Sequence, residues 1–206
     1  MNQTYAKVLY VAGVTTFCTF IGCWAVLAHQ ENSPAQQKSA RHNAPIADER
    51  FVRGAAEGSM AEVKLGQLAE EKGQSEEVKK FGKRMVEDHS KSQDLLKELG
   101  AKEGINMPAD ENRKDAETYQ RLAKMSGAQF DKAYAQEMVR DHEKDINEFK
   151  NAANTTQKPS LKQFAQEQLP TLESHLKEAR QMMAQVVREG AASGKSRAGG
   201  GASSRR

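Results

Sequence analysis

The sequence contains nearly the same five residues twice, Met-Val-Glu-Asp-His at 85–89 and Met-Val-Arg-Asp-His at 138–142. Each copy ends in one of the five histidines of the chain. In each copy an aromatic residue, a methionine and the histidine follow at intervals of four, and side chains at this spacing share one face of an α-helix. The repeat therefore predicts two helices that each direct an imidazole toward a buried side. These residues are Phe81, Met85 and His89, and Tyr134, Met138 and His142.

Two further polar residues fall on apolar stripes of predicted helices. Glu62 lies on the stripe of the first helix and His175 on that of the last. A buried imidazole requires hydrogen-bond partners or a counter-ion, and metal ligation satisfies that requirement. Counted from the first hairpin turn, Glu62 and His89 lie near the middle of the bundle, and counted from the second, so do His142 and His175. At 1.5 Å of rise per residue, the two residues of each pair are staggered by about 6 Å. The predicted metal ligands are Glu62, His89, His142 and His175.

The nitrogen and oxygen donors of this set suit Zn, Fe, Mn, Cu or Ni, and the identity of the metal stays open. Met85 and Met138 are the only candidate sulfur ligands that would favour a softer metal. Asp88 and Asp141 each precede a histidine and point about 100° away from it on the helix. Each is predicted to hold the second imidazole N–H of a histidine on another helix, with a surface ion pair as the alternative.

Four long helices and one short helix must position these residues. Charged residues form 29% of the chain and aromatic residues only 6%, which favours an all-α protein. The short turn after Gly73 predicts an antiparallel hairpin, and Pro170 predicts a kink before His175. The fold class is a four-helix bundle with a long crossover that contains a short extra helix. The predicted helices span 47–72, 76–99 with Ser75 as cap and Gly100 as stop, 110–124, 126–154, and a last helix capped by Ser160.

Both ends are predicted to lie outside the bundle. Residues 1–29 form a signal peptide or membrane anchor, because Val8 to Ala28 contains no charged residue. Both cysteines of the chain, Cys18 and Cys23, lie in this segment. Residues 30–46 are a predicted linker, 47–188 the bundle, and 189–206 a disordered tail rich in Gly, Ser and Arg. An uncleaved N-terminal segment would make the membrane a partner.

The chain resembles a ferritin-like family of unknown function, number 4142, whose members are often labelled "predicted outer membrane protein". The resemblance covers about residues 47–183. It implies a four-helix bundle exported to the periplasm or cell envelope of bacteria, with the four predicted ligands at recurring polar core positions, and it implies no known reaction. The matching positions are Phe51, Ala55, Glu62-Val63, Val78 to Phe81, Met85-Val86, Asp88-His89, Phe130-Asp131, Tyr134, His142, Leu169-Pro170 and His175-Leu176.

The pattern departs from that of a di-iron ferroxidase. Such a centre uses Glu-x-x-His on two helices, whereas Val86, Val139 and Leu172 stand three residues before the histidines. The net charge of +3 owes much to the C-terminal tail, so the folded domain is not predicted to bind nucleic acid.

Two functions stay open. One is a metal-binding domain, used for metal handling or for a redox reaction. The other is a non-enzymatic stress-protective or interaction bundle, in which the histidines and Glu62 form a polar network without metal. The sequence has no Ser-His-Asp order, phosphate loop or cysteine nucleophile in the predicted bundle. Whether the protein is an enzyme, and which proteins it contacts, stays open.

Overall fold

The computed structural model describes the backbone of residues 34–199 and the side chains of residues 46–192. The described residues form five α-helices and no strand, which confirms the all-α fold with a short helix in the crossover. None of these helices is both long and apolar enough to span a bilayer. The predicted signal or anchor segment lies outside the described residues. The helices are α1 (Pro34–Lys72), α2 (Glu76–Glu103), α3 (Arg113–Ala123), α4 (Gly127–Thr155) and α5 (Pro159–Gly199).

Two helical hairpins pack together into the bundle. Helix α1 pairs with α2 and α4 with α5, while α1 also contacts α4 and α2 contacts α5. The crossover helix α3 packs against α1 and α4. Short connections favour antiparallel neighbours, and the long connection between α2 and α4 allows the second hairpin to dock on the first.

Local side-chain contacts define where the first hairpin turns. The Ser75 hydroxyl accepts a hydrogen bond from the backbone N–H of Val78, as predicted for an N-cap. The buried carboxylate of Asp131 on α4 accepts from the backbone N–H groups of Gln74 and Ser75, each at 2.8 Å. The turn of the first hairpin is thus bonded to the start of the second.

Helices α1 and α5 are longer than predicted. Helix α1 begins at Pro34, so helix occupies the segment predicted as linker from that residue onward. Its Ala, Gln, Lys and Arg residues have high helix propensity. Helix α5 continues to Gly199, well into the segment predicted as a disordered tail. Extending an existing helix adds one hydrogen bond per residue without a new nucleus. The division into domains stays a prediction.

Two predicted helix signals are wrong. Helix α2 passes through Gly100 and ends at Glu103, and its C-cap is Gly104, whose φ of 67° is left-handed. Gly100 instead leaves room for the Met107 side chain, because a Cβ there would collide with it. Helix α5 begins at Pro159, whose fixed φ and missing N–H suit the first helical position. The Ser160 hydroxyl is therefore not the cap and donates to Glu103 at the end of α2.

The core consists of two apolar clusters with a polar layer between them. One cluster lies toward the turn of the first hairpin and contains Phe81, Phe130 and Tyr134. The other lies toward the opposite end and contains Phe149 and Phe164. The repeat correctly predicts that Phe81, Met85, Tyr134 and Met138 are buried. Leu95 is also predicted to lie on the apolar face of α2 but is 45% exposed, and Ser92 is buried on that helix. The three core histidines of the sequence fall between the two clusters along their helices.

Gly66 and Gly82 allow α1 and α2 to approach closely, and this contact gives a first prediction. A Cβ on Gly82 would lie 2.6 Å from the Gly66 carbonyl oxygen and 2.7 Å from the Ala69 Cβ. Because helix backbone cannot shift cheaply, Gly82→Ala should lower the free energy of unfolding by about 1–3 kcal/mol in urea denaturation.

The matched control for this substitution is Gly54→Ala. A Cβ at this exposed position of α1 meets no atom within 4 Å. Alanine there should raise stability by about 0.5–1 kcal/mol, because glycine is a poor helix former. Equal stabilities of the two variants would show that the close approach of the helices does not exist.

Candidate metal centre

Three histidines from three helices meet inside the bundle. His89 comes from α2, His142 from α4 and His175 from α5, and all three side chains are buried. One ring nitrogen of each lies within 4.8 Å of a ring nitrogen of the other two. Among the residues that the structure describes, no other His, Cys, Asp or Glu side chains bring three ligand atoms this close.

The position of the proton on His142 follows from its backbone contact. Its Nδ1 lies 2.8 Å from the carbonyl oxygen of Met138, one turn earlier on α4. A carbonyl oxygen only accepts hydrogen bonds, so Nδ1 carries the proton. In the neutral ring Nε2 then presents a lone pair. This nitrogen points toward the other histidines.

The position of the proton on His175 follows from a carboxylate. Its Nε2 lies 3.0 Å from Oδ2 of Asp88 on α2, and Nε of Arg84 lies 3.2 Å from the same oxygen. Partial burial raises the pKa of Asp88, but the hydrogen bonds from His175 and Arg84 outweigh it and hold the pKa below its usual value. Asp88 is therefore ionised and accepts the Nε2 proton, which leaves a lone pair on Nδ1 of His175.

The two lone pairs face each other. Nε2 of His142 and Nδ1 of His175 are 3.3 Å apart, and neither carries a proton in the tautomers described above. Nε2 of His89 is buried and has no hydrogen-bond partner among the described residues. Two ligand nitrogens on a tetrahedral zinc ion, each at about 2.0–2.1 Å, are separated by about 3.3 Å. The donor set therefore fits a small cation.

Burial keeps the three rings neutral, which is the form that binds metal. Burial and the neighbouring histidines lower the pKa of His89 well below its ordinary value. Burial, followed by the neighbouring His175, lowers the pKa of His142 to about 4, although its bond to Met138 acts in the opposite direction. Burial also lowers the pKa of His175, although its bond to Asp88 acts in the opposite direction.

One side of the cluster is apolar and the other borders a small cavity. The Phe81 ring lies edge-on to His142 and His175, with centroid distances of 6.2 and 6.5 Å. On the other side, His89 and His175 line a cavity of about 20 Å³ together with polar residues of α1, α2, α4 and α5. A space of this size holds about one water molecule. The polar lining residues are Ser59, Asp88, Ser92, Asp145, Gln168 and Thr171.

Glu62 does not join the histidines, contrary to the predicted convergence of four ligands. It is buried on α1, but its carboxylate lies outside the group of converging ligand atoms and lines a different cavity with Asp115, Asp141 and Asp145. On α1 the residue beside His89 and His175 is Ser59, three positions earlier. Three residues correspond to about 4.5 Å along a helix, so Glu62 lies almost one helical turn away from the histidines.

The two aspartates predicted to support the histidines behave differently. Asp88 contacts His175, a histidine of another helix. Asp141 makes no hydrogen bond or ion pair with an imidazole among the described residues, and it lines the cavity that contains Glu62. Sequence analysis does not identify Arg84, which bonds to Asp88 and to Glu178 of α5. The spacing of four residues between Arg84 and Asp88 is the signal that indicates this pair.

The described residues define an all-α helical bundle with a cluster of three buried histidines. The chain belongs to the family described as "Domain of unknown function (DUF4142)", whose model matches residues 31–182. Among solved structures it is similar to the crystal structure of a DUF305 fragment from Deinococcus radiodurans, with a TM-score of 0.58 and 13% identity. This match covers 69% of the present chain and 96% of the other and shows a shared fold. No curated protein matches the chain.

The lowered pKa of His142 predicts a specific pH dependence in protein freed of metal by a chelator. The unfolded side chain takes up a proton near pH 6.5 and the folded one near 4, so the unfolded chain binds more protons between these values. Stability from this residue is therefore lost as pH falls through that window. His142→Gln does not titrate, so wild type should lose up to about 3 kcal/mol relative to the variant between neutral pH and about pH 4.

The pH dependence of stability must be compared between wild type and variant. Buried carboxyl groups of the same bundle increase stability as pH falls, which is opposite to the effect of His142. Burial raises the pKa of Glu62 well above its usual value and that of Asp141 to about 7. Both contributions cancel in the difference between the two urea titrations. A difference that is constant with pH would contradict a buried, neutral His142.

Proposed function

We propose that this chain is an envelope protein that binds one transition-metal ion through His89, His142 and His175. The single observation that carries the proposal is the pair of unprotonated nitrogens, Nε2 of His142 and Nδ1 of His175, that face each other at 3.3 Å. Two lone pairs at this distance repel in the dry interior of a protein, and a cation between them removes the repulsion. The unpartnered Nε2 of His89 supplies a third donor.

The chemistry of the donors narrows the class of metal. Three neutral imidazoles without a thiolate or a bound carboxylate suit Zn and Cu best among the metals considered, with Ni and Fe next. Mn prefers oxygen ligands and fits least. Asp88 would orient His175 and raise the basicity of its ligating nitrogen, as carboxylates do behind metal-bound histidines.

The space around the centre favours metal handling over the conversion of an organic substrate. Three protein ligands leave a coordination position open, and the adjoining cavity of about 20 Å³ holds a water molecule. An organic substrate requires a pocket of about 300 Å³ or more. The bundle is therefore proposed to hold and release the ion, or to act on a ligand of the size of water.

An envelope location is part of the proposal and is supported by sequence alone. The apolar segment from Val8 to Ala28 has the length and composition of an export signal or anchor. The absence of cysteine from residue 24 onward suits an oxidising compartment.

Metal analysis of purified, tag-free protein tests the centre. After incubation with Zn²⁺ or Cu²⁺ and removal of excess ion, wild type should contain about one equivalent of metal, because one three-histidine site is present. His89→Gln and His175→Gln should each lose most of it, since two nitrogens do not form a tight site. Glu62→Gln is the matched control and should retain full occupancy, because its carboxylate lies outside the group.

The same experiment decides between this function and a metal-free polar network. If the histidines form a metal-free polar network, wild type should contain no more metal than the histidine variants under any loading condition. That result would end the proposal and leave the histidines as a structural element of the bundle.

The role of Asp88 gives a separate prediction. Asp88→Asn removes the charge that orients His175, so the affinity for Zn²⁺ should fall about 10- to 100-fold in a competition titration with a chelator. Asp94→Asn is the control, since this aspartate lies on the same helix and pairs with Lys97 at the surface. Equal affinities of the two variants would show that the contact between Asp88 and His175 does not act on the metal.

A further inference from the structure

A second polar site lies beside the cavity that adjoins the histidines. It is a small cavity of about 20 Å³ between α1, α3 and α4, lined by four carboxyl groups. We call it the acidic pocket, and its acids are Glu62, Asp115, Asp141 and Asp145. Gly58 and Asp145 line both this pocket and the cavity beside the histidines. The two sites are therefore neighbours with different donor chemistry.

Glu62 is the residue that the packing of the bundle leaves unexplained. Its side chain is 3% exposed, and its Oε2 has no hydrogen-bond partner among the described residues. Burial of an unpaired carboxyl oxygen is costly, and such a group requires a proton or a cation. Its position in the acidic pocket gives it three further carboxyl groups as neighbours and no arginine.

The positive charge in the acidic pocket is small. Lys144 is the basic residue of its lining, and it lies 3.4 Å from an Asp145 oxygen and 3.3 Å from a Glu148 oxygen. One ammonium group shared with Glu148 faces four carboxyl groups. The other buried acids of the region are already paired, since Glu137 bonds to Arg121 and Arg140 and Glu111 bonds to Lys64. The lining of the acidic pocket therefore contains more carboxyl groups than basic groups.

From this pocket and the unpartnered Glu62 oxygen, we propose a second cation site that takes a hard, oxygen-preferring divalent ion of the Ca²⁺ class. Carboxylate oxygens and water are the ligands that such ions prefer. Among the described residues no three carboxyl groups place one oxygen each within 4.8 Å of one another, so one or two carboxylates would bind the ion directly and water would bridge it to the others. The proposal does not depend on metal binding by the histidines.

The site would connect the crossover helix to the bundle. Asp115 lies on α3, Glu62 on α1, and Asp141 with Asp145 on α4. An ion bound between them would add a link between α3 and the other two helices, which α3 contacts only over small areas. Binding should therefore stabilise the docking of α3 in particular.

Calcium titration of the full chain tests the second site. Wild type should bind about one equivalent of Ca²⁺ by calorimetry, and its melting temperature should rise with Ca²⁺ concentration, because the ion binds the folded state. Glu62→Gln, which keeps the shape of a protonated glutamate, should fold normally and bind Ca²⁺ at least about tenfold more weakly. Amide hydrogen exchange of α3 should slow with Ca²⁺ in wild type but not in this variant.

Two controls separate this proposal from the first. His89→Gln should bind Ca²⁺ as wild type does, because imidazole is a poor ligand for Ca²⁺. Glu148→Gln, which removes an exposed acid outside the pocket, should also bind normally. No Ca²⁺ binding by wild type at millimolar concentration, or equal binding by wild type and Glu62→Gln, would overturn the second site. Neither result would bear on Zn²⁺ or Cu²⁺ at the histidines.

Discussion

The structure depends on how protons are placed around three buried imidazoles. The outer nitrogen of His142 donates to a backbone carbonyl of its own helix, and that of His175 donates to Asp88. Because each outer nitrogen holds the proton, each inner nitrogen presents a lone pair to the centre of the bundle. The inner nitrogens of His142 and His175 therefore face each other as lone pairs, and no hydrogen atom lies between them.

The packing of the helices explains why this arrangement persists. Apolar clusters above and below the histidines exclude water and hold the helices at fixed heights. The close contact of Gly66 with Gly82 joins α1 to α2, and the bond of Asp131 to the first turn joins the two hairpins. Arg84 links Asp88 of α2 to Glu178 of α5, so the partner of His175 is itself restrained. A polar centre in a small bundle requires this rigidity, since misplaced donors are left unsatisfied.

Much of the fold can be predicted from the sequence. The repeat of aromatic, methionine and histidine at intervals of four identifies the buried face of α2 and α4, because helical periodicity is a strong local signal. Ser75 and the short turn after Gly73 identify the first hairpin. The convergence of His89, His142 and His175 follows from counting residues away from the turns.

The remaining features depend on tertiary contacts that local patterns do not encode. The periodicity of α1 correctly predicts that Glu62 is buried. Glu62 lies about one helical turn from the histidines, however, and its carboxyl group lines the acidic pocket instead. Asp88 and Asp141 occupy equivalent places in the repeat, yet only Asp88 bonds to an imidazole, because Asp88 faces α5 whereas Asp141 faces α1 and α3. Gly100 is a stop signal locally, whereas the packing of Met107 requires a glycine there within the helix.

The most direct measurement is anomalous diffraction from a crystal of the zinc-loaded protein, recorded on both sides of the zinc absorption edge. The account predicts one strong peak at about 2.0–2.1 Å from Nε2 of His89, Nε2 of His142 and Nδ1 of His175. Their outer nitrogens should keep the bonds of His142 to Met138 and of His175 to Asp88. A map without a peak among these three rings, in protein shown to be saturated with zinc, would contradict the central claim.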